Sequence, residues 1–161
     1  MFTKYFNYLT FLLKSTNQHG VHSPFVYQFV TKGLYKKTNS LPVLNSDTRL
    51  DELTKKERKI VAKILSYFNI DTIYYNTLEK EETITKELIL VYLEHVKNWN
   101  ITYLNTKHII LIKGIHDATE NNKSWKKIIG QTENIVTVDL FYFGIIFFRP
   151  KQAKEHFIIR I

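Results

Sequence analysis

The 161-residue chain has no cysteine. This excludes disulfides, thiolate metal sites and a cysteine nucleophile, and it fits a reducing compartment, so a cytoplasmic location is expected. Glycine and proline are scarce, at five and three residues. Long flexible linkers are therefore excluded, and one domain over residues 1–161 is expected. No acidic residue precedes Asp47, whereas Lys4, Lys14, Lys32, Lys36 and Lys37 all do. Residues 1–46 thus read as a basic helical extension ahead of an α/β core over residues 47–161. A net charge of +8 suits an anionic partner such as RNA, DNA or a lipid surface, although the lysines are spread out as on a solvated face. No apolar run reaches the length of a transmembrane segment. The apolar stretch at the N-terminus is short and interrupted by Asn7 and Thr10, with no small-residue cleavage site after it, which argues against a secretory signal.

Hydrophobic residues make up 44% of the chain, enough to build a core. Phe2, Phe6, Leu9, Leu12 and Leu13 share one face of a first helix. That face is expected to dock on its own domain, the alternative being an interfacial helix. Gly20 breaks this helix. Ser23 as N-cap and Pro24 in the first turn start another, which carries Phe25, Val26, Phe29, Val30 and Leu34. Residues 36–51, with Pro42, read as a loop. Thr54 and Glu57 have capping-box spacing ahead of the stripe Ile60, Val61, Ile64, Leu65 and Phe68. Asn69 ends that helix, and a strand follows at Thr72–Tyr75.

Residues 83–99 fit two templates. Ile84, Leu88, Val91, Tyr92 and Val96 make a helix face, while "LILVYL" makes a buried strand; length favours the helix. "HIILIKG" at 108–114 reads as a strand. A polar helix over Asn122–Ile129 is ended by Gly130, and "IVTVDLF", "GIIFFR" and "HFIIRI" read as three strands. Helices alternating with strands and then three consecutive strands predict a three-layer α/β fold around a mixed sheet that finishes as an antiparallel meander.

Four stretches carry a resemblance. "LLKSTNQHGVHSPFVYQFVTK" and "VTVDLFYFGIIFFRPKQAKEHFIIRI" resemble the two ends of a bacterial group of class I S-adenosylmethionine-dependent methyltransferase-like proteins, similar in core to small-molecule O-methyltransferases. "LTKKERKIVAKILSYFNIDTIYYN" looks like the helix and first strand of that fold, and "HIILIKGIHDATENNKSWKKI" like a later strand with its following helix. The resemblance implies a Rossmann-like fold with N-terminal helices, antiparallel C-terminal strands and S-adenosylmethionine as cofactor. It also implies three features that this chain departs from. The glycine-rich turn after the first strand is replaced by Tyr75, Asn76, Thr77 and Leu78, with Glu79, Glu81 and Glu82 close by. Bulkier residues there oppose the close backbone approach that a cofactor loop needs. The second strand, with its ribose-binding acid, has no room in the chain, so the sheet is expected to be shortened, with the first strand near a new edge. The acidic residues that hold a divalent metal in related O-methyltransferases are replaced by Lys113 and Gly114, and a lysine repels a hard cation.

The implied protein is a degenerate methyltransferase-like domain without methyl transfer, acting as an interaction or scaffold module. Its sheet edge is expected to be covered by residues 83–99 or by another copy. The alternatives are an active enzyme with a non-standard or partner-completed S-adenosylmethionine site, and a basic nucleic-acid-binding domain. Among other residues, His19 and His22 are expected to serve the helix break and not a metal. His116 and Asp117 follow a strand end, where ligands gather in α/β sheets, and are the weak candidates for a general base. Tyr74, Tyr75, Tyr92, Trp99 and Tyr103 suit either base stacking beside lysines or the core.

Overall fold

The computed structural model describes residues 2–37, 48–71, 73–76 and 88–161. The chain opens with α1 (Phe2–Lys14) and α2 (Pro24–Gln28), the latter running on into a π-helical turn at Phe29–Leu34. α3 (Thr48–Asp51) and α4 (Lys55–Phe68) precede β1 (Ile73–Tyr75). Then come β2 (Ile89–Leu93), β3 (His108–Lys113), α5 (Thr119–Gln131), β4 (Ile135–Asp139), β5 (Phe143–Phe148) and β6 (Glu155–Ile158). Among the described residues no helix is long and apolar enough to cross a membrane.

Local chemistry sets several boundaries. Thr54 and Glu57 form the capping box that their spacing predicts, with the Thr54 N–H donating to the Glu57 carboxylate at 2.8 Å. Asn69 ends α4 in the left-handed conformation at φ 52°, which asparagine tolerates. Ser23 stands at the N-cap of α2 with Pro24 in the first turn, but its hydroxyl makes no capping bond. It accepts from Gln152 Nε2 at 3.0 Å, tying α2 to the link between β5 and β6. Gly130 does not end α5, which continues to Gln131; the glycine is exposed, and a side chain there would meet nothing.

Two expectations are corrected. Length favours a helix over residues 83–99, yet Ile89–Leu93 form β2, with all five residues buried, and Val96–Asn98 a single 3-10 turn; residues 83–87 lie outside the described residues. A strand covered on both faces shows an unbroken apolar run, so it lacks the polar alternation that would mark it as a strand. Nor do the last three strands form a meander. The sheet order is β1-β2-β3-β5-β4-β6, with β5 antiparallel between β3 and β4, and β6 parallel to the outer side of β4. β1 stands at one end and pairs with β2, which comes from the segment expected to cover it.

The sheet separates two cores. Leu90, Tyr92, Ile109, Leu111, Val136 and Phe147 face α2, the π-helical turn and α4, where Val26, Phe29, Val30, Ile60, Val61 and Ile64 wait. Ile89, Val91, Ile110, Ile112 and Ile146 face Val96, Tyr103, Trp125 and Ile128 of the connections between strands. Gly144 in β5 faces this second core. A Cβ there would come within 2.8 Å of the Trp125 ring, so the indole lies directly on the strand backbone. Gly144→Ala is expected to displace Trp125 and cost about 1–3 kcal/mol. Urea denaturation followed by tryptophan fluorescence should show both the lost stability and an altered native emission.

Candidate functional site

In an open α/β sheet, ligands gather at the carboxyl ends of the parallel strands. Beyond β1 the chain turns through Asn76, at φ 61°. Every polar group of Asn76 is engaged. Its N–H donates to the Tyr92 carbonyl at 2.9 Å, and its carbonyl accepts from the Tyr103 hydroxyl at 2.7 Å. Its side-chain nitrogen donates to Glu94 Oε2 at 2.6 Å. Its side-chain oxygen accepts from the Glu94 N–H at 3.0 Å and from Asn98 Nδ2 at 2.6 Å. The Tyr75 ring leans on Tyr92 at 5.5 Å. Where the resemblance puts an open glycine cradle, the ends of β1 and β2 are laced together. Thr77, the third residue of that position, lies outside the described residues, as do Leu78, Glu79, Glu81 and Glu82.

At the end of β3, Lys113 pairs in register with Phe143. Gly114 follows at φ 68°, a conformation suited to glycine, and a Cβ there would meet the Asp117 carboxylate at 2.7 Å. This turn delivers His116. His116 and Asp117, the weak general-base candidates, do not pair with each other. Asp117 bonds Lys4 of α1 at 2.5 Å, with both side chains half exposed. His116 Nε2 instead donates to Asp139 Oδ2, at the end of β4, at 2.7 Å, and Asn122 of α5 donates to His116 Nδ1 at 2.7 Å. The other Asp139 oxygen accepts from the Phe141 N–H at 2.9 Å. His116 and Asp139 are 9% and 3% exposed, so the pair is out of water.

α1 roofs this cluster. Asn7 donates to the His116 carbonyl at 2.9 Å, and Phe11 packs edge-on to the imidazole. Phe141 stacks on the imidazole, with centroids 5.3 Å apart and planes 9° apart, and also touches Phe11. Phe141 has φ 70°, costly for an aromatic residue and held here by these contacts. The expected docking face of α1 is thereby corrected. Phe11 and Tyr8 dock, whereas Phe6, Leu9 and Leu13 remain 70%, 43% and 88% exposed. The roof leaves a cavity of about 220 Å³ lined in part by Asn7, Phe11, His116, Trp125, Asp139 and His156.

His116 has no free nitrogen. One lone pair accepts from Asn122 and the other nitrogen's hydrogen goes to Asp139, so the imidazole is fixed in place and cannot take a substrate proton without breaking a bond. Asp139, Asn122 and His156 are not singled out by sequence reasoning. The signal for Asp139 was present, because a carboxylate inside the apolar run "IVTVDLF" needs a buried partner. The aromatic residues form no stacking platform: Tyr92 and Tyr103 are buried, while Tyr74 and Trp99 pack against the second core. Burial, then nearby Glu57, Glu94 and Glu52, holds the Tyr92 phenol well above its usual pKa. His19 and His22 lie at the helix break, His19 through its N–H to the Asn17 side chain and His22 with its ring near Phe157.

His156 bonds Thr137 Oγ1 at 2.8 Å. Part of its ring stays open to solvent, yet protein crowds the rest, and this desolvation lowers its pKa; His116 adds to the effect and Asp139 opposes it. Above its ordinary 6.5 the ring is neutral folded or unfolded and has no effect on stability. As pH falls below that value the unfolded chain binds the proton first, so stability is lost until the folded ring protonates too. His156→Gln keeps a bond to Thr137 and is expected to flatten the loss of stability between about pH 7 and 5, measured by denaturant melts.

Compared with family models, with curated proteins and with solved structures, the chain matches none.

Proposed function

We propose that this chain is a shortened relative of the class I S-adenosylmethionine-dependent methyltransferases that no longer transfers methyl groups and works by contact with a protein partner. The observation that carries the reading is the hydrogen-bonded closure of the β1 end around Asn76. A cofactor cradle needs backbone N–H groups turned outward and room beside them. The Asn76 N–H is spent on Tyr92, and Glu94 and Asn98 occupy the adjoining space.

Three further features support it. The parallel strands β1, β2, β3, β4 and β6 follow one another in a single direction across the sheet. That is the order left when a doubly wound sheet loses the strands on one side of its first strand, and it has no reversal point at which a ligand crevice would open. By the resemblance, Lys113 and Gly114 replace the metal-binding acids of related enzymes. His116 is held on both nitrogens. The contact role is favoured by Phe6, Leu9 and Leu13, which stand exposed together on one side of α1.

Calorimetric titration with S-adenosylmethionine and S-adenosylhomocysteine, at protein concentrations that detect millimolar binding, is expected to give no saturable heat and no thermal shift. Saturable binding of either would overturn the reading. Asn76→Ala is expected to cost about 1–3 kcal/mol, because it leaves Glu94 and Asn98 groups unpaired. A thermal melt unchanged by that substitution would mean that the closure around Asn76 does not hold the strand ends together.

A further inference from the structure

Along α4 lies a second cavity, of about 440 Å³, within the size range of small-molecule sites. Lys56, Lys59 and Lys63 project into it from α4, and Arg160 joins them from beyond β6. Leu34, Tyr35, Ile60 and Ile161 complete the wall, so the lining holds four cations and no acidic side chain. None of the four cations forms an ion pair among the described residues, although Arg58, on the same helix, pairs with Asp51.

Lysines three and four positions apart on a helix repel one another, and such spacing is normally relieved by an alternating acid. Here the helix keeps like charges together around a concave surface. Lys63 is half-buried and donates to the Leu34 carbonyl, at the end of the π-helical turn. Desolvation, and then Lys59, lowers its pKa. The π-helical turn is itself uncommon, and such turns are frequent at functional sites. It is held by close packing: a Cβ on Gly33 would come within 3.0 Å of the Tyr67 ring. Tyr35 follows it directly, and its hydroxyl donates to the Arg160 carbonyl at 2.6 Å, which fixes the residue bearing the fourth cation.

We propose that this cavity binds a small organic anion, a phosphate or carboxylate head on an apolar body, with Lys56, Lys59, Lys63 and Arg160 around the head and Leu34, Tyr35 and Ile60 against the body. The proposal stands apart from the methyltransferase-like reading, since the cavity is built by α4, the π-helical turn and the β6 end and uses none of the groups at Asn76 or His116. A charged head is attracted without direct loss of the lysines' water on the exposed side, and the apolar wall distinguishes an amphiphilic anion from inorganic phosphate.

The test is calorimetric titration of the full chain with octyl phosphate, octanoate, octanol and inorganic phosphate, each kept below its aggregation threshold. The two amphiphilic anions are expected to bind saturably and more tightly than inorganic phosphate, and octanol not to bind. Adding salt should weaken the binding. Lys56→Ala/Lys59→Ala, which relieves repulsion but gives up the contact of Lys56 with the Tyr142 ring at 5.0 Å, is expected to keep a cooperative melt and to bind octyl phosphate at least about tenfold more weakly. Lys151→Ala, away from the cavity, is expected to leave affinity unchanged. Absence of saturable binding by both anions, equal binding by octanol, or undiminished affinity in the double variant would overturn the proposal.

Discussion

Parallel strands joined by right-handed crossovers, taken in one direction across a sheet, can place their connections on only one face. The rest of this molecule depends on that constraint. β1, β2, β3, β4 and β6 advance without reversal, and the described connections, the 3-10 turns after β2 and the helix α5, lie together on one side. The other face, formed by Leu90, Tyr92, Leu111, Val138 and their neighbours, would be left in water. The helices that precede the first strand cover it. Val26, Phe29 and Val30 are fully buried there, so the basic N-terminal segment is part of the core.

The same arrangement explains why the carboxyl ends of the strands are occupied. With no reversal point there is no natural crevice, and the chain fills what space remains with its own side chains. Asn76, Glu94, Asn98 and Tyr103 close one end, and His116, Asp139 and Asn122 close the other beneath α1. Both groups are dense in hydrogen bonds and largely screened from solvent. In such surroundings a satisfied polar network specifies one arrangement of the backbone. Phe141, in a conformation aromatic residues rarely adopt, shows how firmly the surroundings fix the second group.

Much of the fold is readable from local signals. The capping box at Thr54 and Glu57, the αL residue Asn69 and the short apolar run of β3 each depend on neighbours close in sequence. β2 is not readable in this way, because Ile89–Leu93 are covered on both faces and the run is apolar throughout. The position of β5 is also hidden: pairing with β3 depends on a slot created by strands far away in the chain. At the candidate site His116 is legible from its place after a strand, whereas its partner is not. Asp117 is adjacent in sequence but Asp139 is adjacent in space, 23 residues further on and beyond α5. α1 misleads for a related reason. Its broad apolar face exceeds what the domain can cover, and the choice of Phe11 over Leu13 depends on where His116 and Phe141 stand.

Thr16 bridges Ile159 in parallel pairing, and Asn7 reaches the carbonyl of His116, 109 residues further along. Tyr35 holds the backbone at Arg160. During synthesis, therefore, the helices that emerge first can pack only on one another, as Phe29 does on Tyr67 and Phe68, until the strands of the second half have left the ribosome. Val26, Phe29 and Ile64 lack their strand partners through that interval, and Thr16 and Tyr35 wait for Ile159 and Arg160. Long-range closure of this kind slows folding and leaves apolar surface open meanwhile. The more slowly the chain is translated, the longer that surface stands open, a dependence that a domain with its helices interleaved among its strands carries less.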